Sequence, residues 1–113
     1  MRKSDKKLDK QLRLRLTDIC ETALKSIVGF QWLTHTVNYA NFPNSLKVIC
    51  VFDNNDNLAN YINSSNSMDL RLLIKATCQE MNIHLNNVSA QIIFDSEENC
   101  AQQHQGNWAR RLN

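Results

Sequence analysis

The sequence predicts an α+β fold, a two-layer domain in which a three-stranded mixed sheet carries its helices on one face. A short apolar run, rich in β-branched residues, lies between Ser45 and Asp53 with turn-forming residues on both sides, as expected for a strand buried on both faces. Two longer segments, 5–28 and 68–82, carry apolar side chains at helical spacing. Such helices can cover the strand, so the pattern predicts helices packed on a sheet.

The first predicted element is a helix over residues 5–28. Its apolar side chains recur every three or four residues and therefore share one face. They are Leu8, Leu12, Leu16, Ile19, Ala23 and Ile27. Leu14 falls on the opposite, polar side, where it is either exposed or in contact with a partner, and Gly29 is a stop signal for the helix.

Two strands are predicted next, joined as an antiparallel hairpin. Residues 30–39 alternate in polarity and are rich in β-branched and aromatic side chains, which favours a strand over a longer helix. The segment 41–44, which contains Pro43, then makes the turn into the central strand. Because the chain has fifteen asparagines and two glycines, we expect asparagine to supply helix caps, turns and left-handed positions.

The remaining elements are a short helix at 58–62, a helix at 68–82 and a last strand at Val88–Phe94. The resulting order α-β-β-α-α-β matches the type II arrangement of KH domains, which is a fold-level analogy. Between the two helices stands NSSNS (63–67), without the glycines of the loop with which KH domains clamp nucleotides. An ordinary interhelical loop and a phosphate site made of Asn and Ser side chains are both open interpretations.

Residues 1–94 are predicted to form a single α+β domain with a basic N-terminal helix, and residues 95–113 a polar C-terminal tail. The tail has no clear hydrophobic period, and Trp108 and Leu112 are its apolar anchors. Trp108 either folds over the open face of the sheet, inserts into a partner, or stacks on a nucleic acid that the neighbouring arginines neutralise.

Positive charge is concentrated at the start of the chain. Residues 1–15 hold seven basic and two acidic side chains, whereas the whole chain has a formal net charge of +2. Such a segment attracts phosphate or an acidic partner, or is a solvated helix face. The residues predicted to bind nucleic-acid phosphates are Lys3, Lys6, Lys7, Lys10, Arg13, Arg110 and Arg111.

Catalytic and cofactor motifs are missing from the sequence, so we expect no enzyme activity and no cofactor. DNNDN (53–57) begins like a calcium loop but lacks the required Gly and Glu. Cys100 and His104 are spaced as half of a zinc site, and without a second half no metal is predicted.

The expected location is cytoplasmic. The four cysteines form no disulfide pattern, and no signal peptide or apolar membrane span is evident.

Two blocks of the sequence, GFQWLTHTVNYANFPNSLKVICVFD (29–53) and DSEENCAQQHQGNWARRL (95–112), resemble a small bacterial family usually labelled Fis family transcriptional regulators. The resemblance implies DNA binding by a helix-turn-helix near the C-terminus. The element order is also similar to the KH-like domain of replicative helicase loaders.

Two functions remain as hypotheses. The first is a non-enzymatic nucleic-acid-associated protein that neutralises phosphates through its basic N-terminal helix without reading base sequence. The second is a protein-interaction adaptor or a homodimer, in which Leu14, Trp108 and the free edge of the sheet contact the partner.

Overall fold

The structure is a computed structural model that describes residues 2–112, so the outer limits of the predicted domain and tail, Met1 and Asn113, lie outside it. The predicted order and the three-stranded mixed sheet are confirmed, and short additional helices are present. The elements are α1 Lys3–Ser26, β1 Phe30–Thr36, a 3-10 turn Tyr39–Asn41, β2 Lys47–Phe52, α2 Asn55–Ile62, α3 Asp69–Glu80, α4 Val88–Gln91, β3 Ile92–Ser96, α5 Glu97–His104 and α6 Trp108–Arg111.

The central strand is β2, which pairs antiparallel with β1 and parallel with β3. Leu33 of β1 lies opposite Cys50, and Cys50 in turn lies opposite Phe94 of β3. Every residue of β2 after Lys47 is buried. The prediction that this strand is buried on both faces is therefore confirmed.

One face of the sheet packs against α1, α2 and α3. Val48, Cys50 and Phe52 project from β2 into this layer, and Ile92 projects from β3. The buried side chains that the helices contribute are Leu12, Leu16, Ile19, Ala23, Tyr61, Leu70, Ile74 and Cys78. Each fully buried Leu or Ile contributes about 1.5–3 kcal/mol, so this layer is the main apolar core.

The other face of the sheet is covered by the C-terminal segment. Ile49 and Val51 point to this side and are nevertheless buried. Here the rings of Trp32 and Trp108 meet edge to face, with centroids 4.9 Å apart. The segment assigned to a polar tail therefore differs from the prediction, because Asp95 and Ser96 belong to β3 and two helices follow. The segment is held by hydrogen bonds of its polar side chains, for example Arg111 to Asp95. Such contacts do not produce a hydrophobic period in the sequence.

The last strand is shorter than predicted, because Val88–Gln91 forms one helical turn. The side chain of Asn87 accepts from the backbone N–H of Ala90 and so caps this turn. The buried amide of Gln91 donates to the carbonyls of Pro43 and Leu46, at 2.9 and 3.0 Å. The alternation of Val88, Ala90, Ile92 and Phe94 therefore predicted a strand wrongly over its first half.

Asparagine marks the boundaries of elements, as expected from its abundance. Asn54 and Asn107 are helix N-caps whose side chains accept backbone N–H groups. Asn82 follows α3 with φ of 60°, a left-handed conformation that asparagine tolerates. The first strand ends at Thr36, earlier than predicted, and Asn38 caps the 3-10 turn at Tyr39–Asn41.

The junctions β2–α2 and β3–α5 repeat one sequence pattern, FDNNDN and FDSEEN, and we call them the strand–helix junctions. In the first, Asp53 accepts from the backbone N–H of Asn54 at 2.7 Å and from the Asn57 amide at 2.9 Å. In the second, Asp95 accepts from Ser96 and Asn99 in the same way, at 2.9 and 3.3 Å. Each junction thus fixes the angle at which a helix leaves its parallel strand.

Candidate nucleic-acid interface

Charged side chains on the first half of α1 are sorted by face. At 100° per residue, the four lysines predicted to bind phosphate fall within about 100° of arc on the outer side. These residues, Lys3, Lys6, Lys7 and Lys10, are all exposed, and we call them the lysine face. Asp5 and Asp9 fall on the opposite side of the helix, toward the sheet. The charged side chains on the outer surface of this half-helix are therefore all basic.

The carboxylate of Asp9 is held away from the lysine face by residues of the hairpin. His35 Nε2 lies 3.1 Å from Asp9 Oδ1, and the Tyr39 hydroxyl donates to the same oxygen at 2.8 Å. The hydrogen bond with His35 lowers the pKa of Asp9, whereas partial desolvation raises it. The hydrogen bond has the larger effect, so the pKa lies below its usual value. Desolvation and the bond to Asp9 raise the pKa of Tyr39. This cluster ties the first half of α1 to β1.

Three arginines near the start of the chain are already paired. Arg2 pairs with Asp5, Arg13 with Asp9, and Arg15 with Glu80 of α3. No member of the lysine face forms an ion pair within residues 2–112. The predicted phosphate contact Arg13 stays 66% exposed, but its guanidinium lies 3.2 Å from a carboxylate oxygen. The unneutralised positive charge of this region is thus carried by the lysines.

The two arginines predicted to bind phosphate near the C-terminus have different environments. Arg111 is mostly buried and forms two hydrogen bonds with Asp95, Nε–Oδ2 at 2.6 Å and Nη2–Oδ1 at 3.0 Å. Burial raises the pKa of Asp95, but the bonds from Arg111 outweigh it and the net pKa is lowered. The guanidinium of Arg111 is thus paired with a carboxylate, and its contact with phosphate stays a prediction that requires this pair to open. Arg110 is exposed, on the opposite side of the sheet from α1.

The two residues predicted to contact a partner are also far from each other. Leu14 is 59% exposed on α1. Trp108 is half-buried, and its indole N–H donates to Glu97 Oε2 at 3.2 Å, while the Trp32 indole donates to Oε1 at 2.6 Å. Trp108 therefore folds over the sheet, which was one of the alternatives open from the sequence, and its contact with a partner stays a prediction. Leu14 and Trp108 lie on opposite sides of the sheet and cannot form one surface.

The loop at 63–67, which stands where a KH domain would hold phosphates, borders a groove that has no basic side chain in its lining. A groove between this loop and the end of α1 is lined by neutral polar and apolar side chains and by Asp69. Lys10 is about 24 Å along the helix from Ser26, which borders the same groove. The side chains that line this groove therefore supply none of the positive charge that a phosphate site needs.

A groove of about 700 Å³ runs between α1 and β1. Asp9, Arg13, Glu21 and His35 line it, so both signs of charge are present. The half-buried thiol of Cys20 also borders it. Because the groove carries both signs of charge and its charged side chains bond to one another, it is poorly suited to bind a polyanion.

The other three cysteines, Cys50, Cys78 and Cys100, are fully buried. Burial raises the pKa of each thiol, to about 12 for Cys50. His104 Nδ1 lies 3.2 Å from the Arg111 guanidinium, which disfavours a cation there. Among residues 2–112, no three His, Cys, Asp or Glu side chains are grouped so that they could share a metal ion.

Sequence reasoning missed the strand–helix junctions, although a signal was present. Asp53 and Asp95 stand 42 positions apart, each after a Phe and each followed four residues later by Asn. A search for internal repeats would have shown that residues 95–99 begin a helix, as residues 53–57 do. The segment would then not have been assigned to a tail.

No helix in the part of the chain that the structure describes has the length and apolar character needed to cross a membrane. No family model matches the chain, and no curated protein or solved structure is significantly similar to it. The resemblance to the Fis family label accordingly stays a prediction.

Proposed function

We propose that this protein binds nucleic acids through the lysine face of α1, contacting phosphates without reading base sequence. The observation that carries the proposal is the sorting of charge on α1. Four exposed lysines share the outer side, while the carboxylates of Asp5 and Asp9 face inward and are bonded there. A purely basic strip on an otherwise slightly acidic chain attracts a polyanion locally. A regulatory role is the form of this function that the family resemblance implies.

Four contacts of this kind define a weak, salt-dependent interaction. Each neutralised phosphate releases condensed counterions, so the logarithm of affinity falls with the logarithm of salt, by about 0.9 per contact on duplex DNA. Four lysines therefore predict a slope of about −3.6. Dissociation constants near the range of about 10⁻⁴–10⁻⁶ M, typical of sequence-independent binding, are expected at physiological salt.

The proposal is tested with two triple variants of equal net charge. The first, Lys3→Gln/Lys7→Gln/Lys10→Gln, removes most of the lysine face. The second, Lys25→Gln/Lys47→Gln/Lys75→Gln, removes three exposed lysines from elsewhere in the chain. Binding to fluorescently labelled duplexes of unrelated sequence is measured by anisotropy over a series of salt concentrations.

We expect the first variant to lower the magnitude of the salt slope by about 2.7, and the control variant to leave the slope close to that of the parent protein. Equal loss in both variants would mean that overall charge, and not the lysine face, governs binding. Lack of binding by the parent protein at low salt would refute the proposal.

A second candidate function is docking of a protein partner at the edge of β1. It is favoured by the position of β1 as an outer strand with an open groove beside it. Because such binding depends on backbone hydrogen bonds and apolar contacts, it would be little affected by salt. Salt-resistant self-association in analytical ultracentrifugation, with no binding to nucleic acid, would favour this candidate in its homodimer form.

A further inference from the structure

We infer that the lysine face is selective for double-stranded over single-stranded nucleic acid. The inference rests on the proposed function and adds the class of ligand to it. It follows from three features of the structure: the engagement of all the aromatic side chains, the spacing of the lysines, and the charges in the grooves.

Proteins that bind single strands usually stack bases on exposed aromatic rings. Each stacked base contributes about 1–3 kcal/mol of binding free energy. The chain has eight aromatic residues, and each ring packs against another aromatic ring. None of them is exposed. Arg71 further covers Phe94, with its guanidinium carbon 4.7 Å from the ring centroid. In the part of the chain that the structure describes, no aromatic ring is thus exposed as a free stacking platform, and a single strand gains little affinity beyond that of charge.

The lysine face also matches the charge density of a duplex. Lys3 and Lys10 are separated by about 10 Å along the axis of α1. Over that length a duplex presents about six phosphates, one per 1.7 Å, whereas one strand at duplex spacing presents about three. Each of the four ammonium groups can therefore pair with a phosphate of the duplex. On one strand the four ammonium groups outnumber the phosphates within reach.

The shape of the site points the same way. Sites for single strands are positively charged grooves that follow the backbone. The lysine face is the convex outer side of a helix, and the adjacent large groove contains Asp9 and Glu21. A strand that entered this groove would meet carboxylates, whereas a duplex can lie alongside the lysine face without entering the groove.

The test compares three labelled ligands of equal length with the full chain: a DNA duplex, one of its strands, and an abasic strand with the same number of phosphates. We expect the duplex to bind several-fold more tightly than either strand at low salt. The normal and abasic strands should bind equally, since bases contribute nothing. The Lys3→Gln/Lys7→Gln/Lys10→Gln variant should weaken duplex binding and remove the preference.

The outcomes separate the two claims. If no ligand binds, the proposed function fails. If all three bind through the lysine face, but the normal strand binds as tightly as the duplex, the proposed function stands and the selectivity is wrong. A preference that persists in the triple variant would also overturn the inference, because another surface would then be responsible.

Discussion

The ring of His35 and the carboxylate of Asp9 join the outer strand of the sheet to the first helix, with Nε2 and Oδ1 3.1 Å apart. This bond performs two tasks at once. It ties α1 to the sheet, and it engages the Asp9 carboxylate on the side of the helix that faces away from the lysines. Charge segregation on α1 is thus a consequence of packing as well as of sequence.

We predict that Asp9→Asn lowers the free energy of unfolding at neutral pH by about 2 kcal/mol, since bonds to a charged acceptor weaken. Because the pKa of Asp9 is lowered on folding, its contribution is complete above the ordinary value of 3.8 and is lost as pH falls through the lowered value. Urea unfolding from neutral pH down to about pH 2 should therefore show a shallower acid loss for the variant than for the parent. Asp18→Asn, at an exposed site of the same helix, is the control and should change little.

Removing the guanidinium of Arg111 should have a large effect on stability, although the residue is near the end of the chain. Arg111→Ala leaves the mostly buried Asp95 without its cation, and we expect a loss of about 3 kcal/mol. The exposed neighbour gives the control, because Arg110→Ala should stay within about 0.5 kcal/mol. Adding Asp95→Asn to Arg111→Ala should restore part of the loss. Simple additivity of the two changes would contradict the pairing.

The chain's two tryptophans contact each other, so the fluorescence of Trp32 depends on whether Trp108 covers its ring. Trp108→Ala should expose the Trp32 ring and shift its fluorescence emission to longer wavelength. The expected loss of stability is about 2 kcal/mol, less than for a fully buried aromatic residue. Trp108→Phe keeps a ring against Trp32 and should shift the emission less. An unchanged spectrum in Trp108→Ala would show that the C-terminal helix does not rest on the sheet.

Two glycines with the same backbone conformation allow a matched comparison. Gly29 and Gly106 have φ of 83° and 80°, so alanine is strained at both sites by about 1 kcal/mol. A Cβ at position 29 would lie 2.5 Å from Cβ of Asn57, while position 106 is open. We predict that Gly29→Ala is more destabilising than Gly106→Ala by at least about 2 kcal/mol in denaturant unfolding. Equal effects would argue against the close approach of Gly29 and Asn57.

Periodic segments of this fold could be predicted from the sequence because their side chains follow one geometric rule. The apolar spacing of α1 and α3 and the uninterrupted apolar run of β2 each specify one structure, and each was assigned correctly. Leu14 was expected on the polar side of α1 and is exposed there. The four lysines were predicted to bind phosphate because positive charge is concentrated in residues 1–15, and helical spacing explains why they share one side of α1.

The parts that could not be predicted depend on contacts between distant residues. Nothing near Gln91 indicates that its amide is bound to carbonyls 45 or more positions earlier, so the helical turn before β3 was read as strand. Likewise, Arg111 looks free in the sequence, since Asp95 is 16 positions away and no local pattern joins them. Which charges remain free for a ligand is decided by such pairs, and this is why the predicted set of phosphate contacts was only partly compatible with the structure.

The buried thiols make the stability of separate regions measurable without any label in the fold. Cys78, Cys50 and Cys100 lie in α3, in the central strand and in α5, and all three are inaccessible to solvent. An alkylating reagent can therefore reach each of them only when its own region opens. Alkylation followed over time by mass spectrometry would rank the three regions by their opening rates. If Cys100 is alkylated before Cys50 and Cys78, α5 separates from the sheet before the core unfolds; if all three are alkylated at the same rate, they open together.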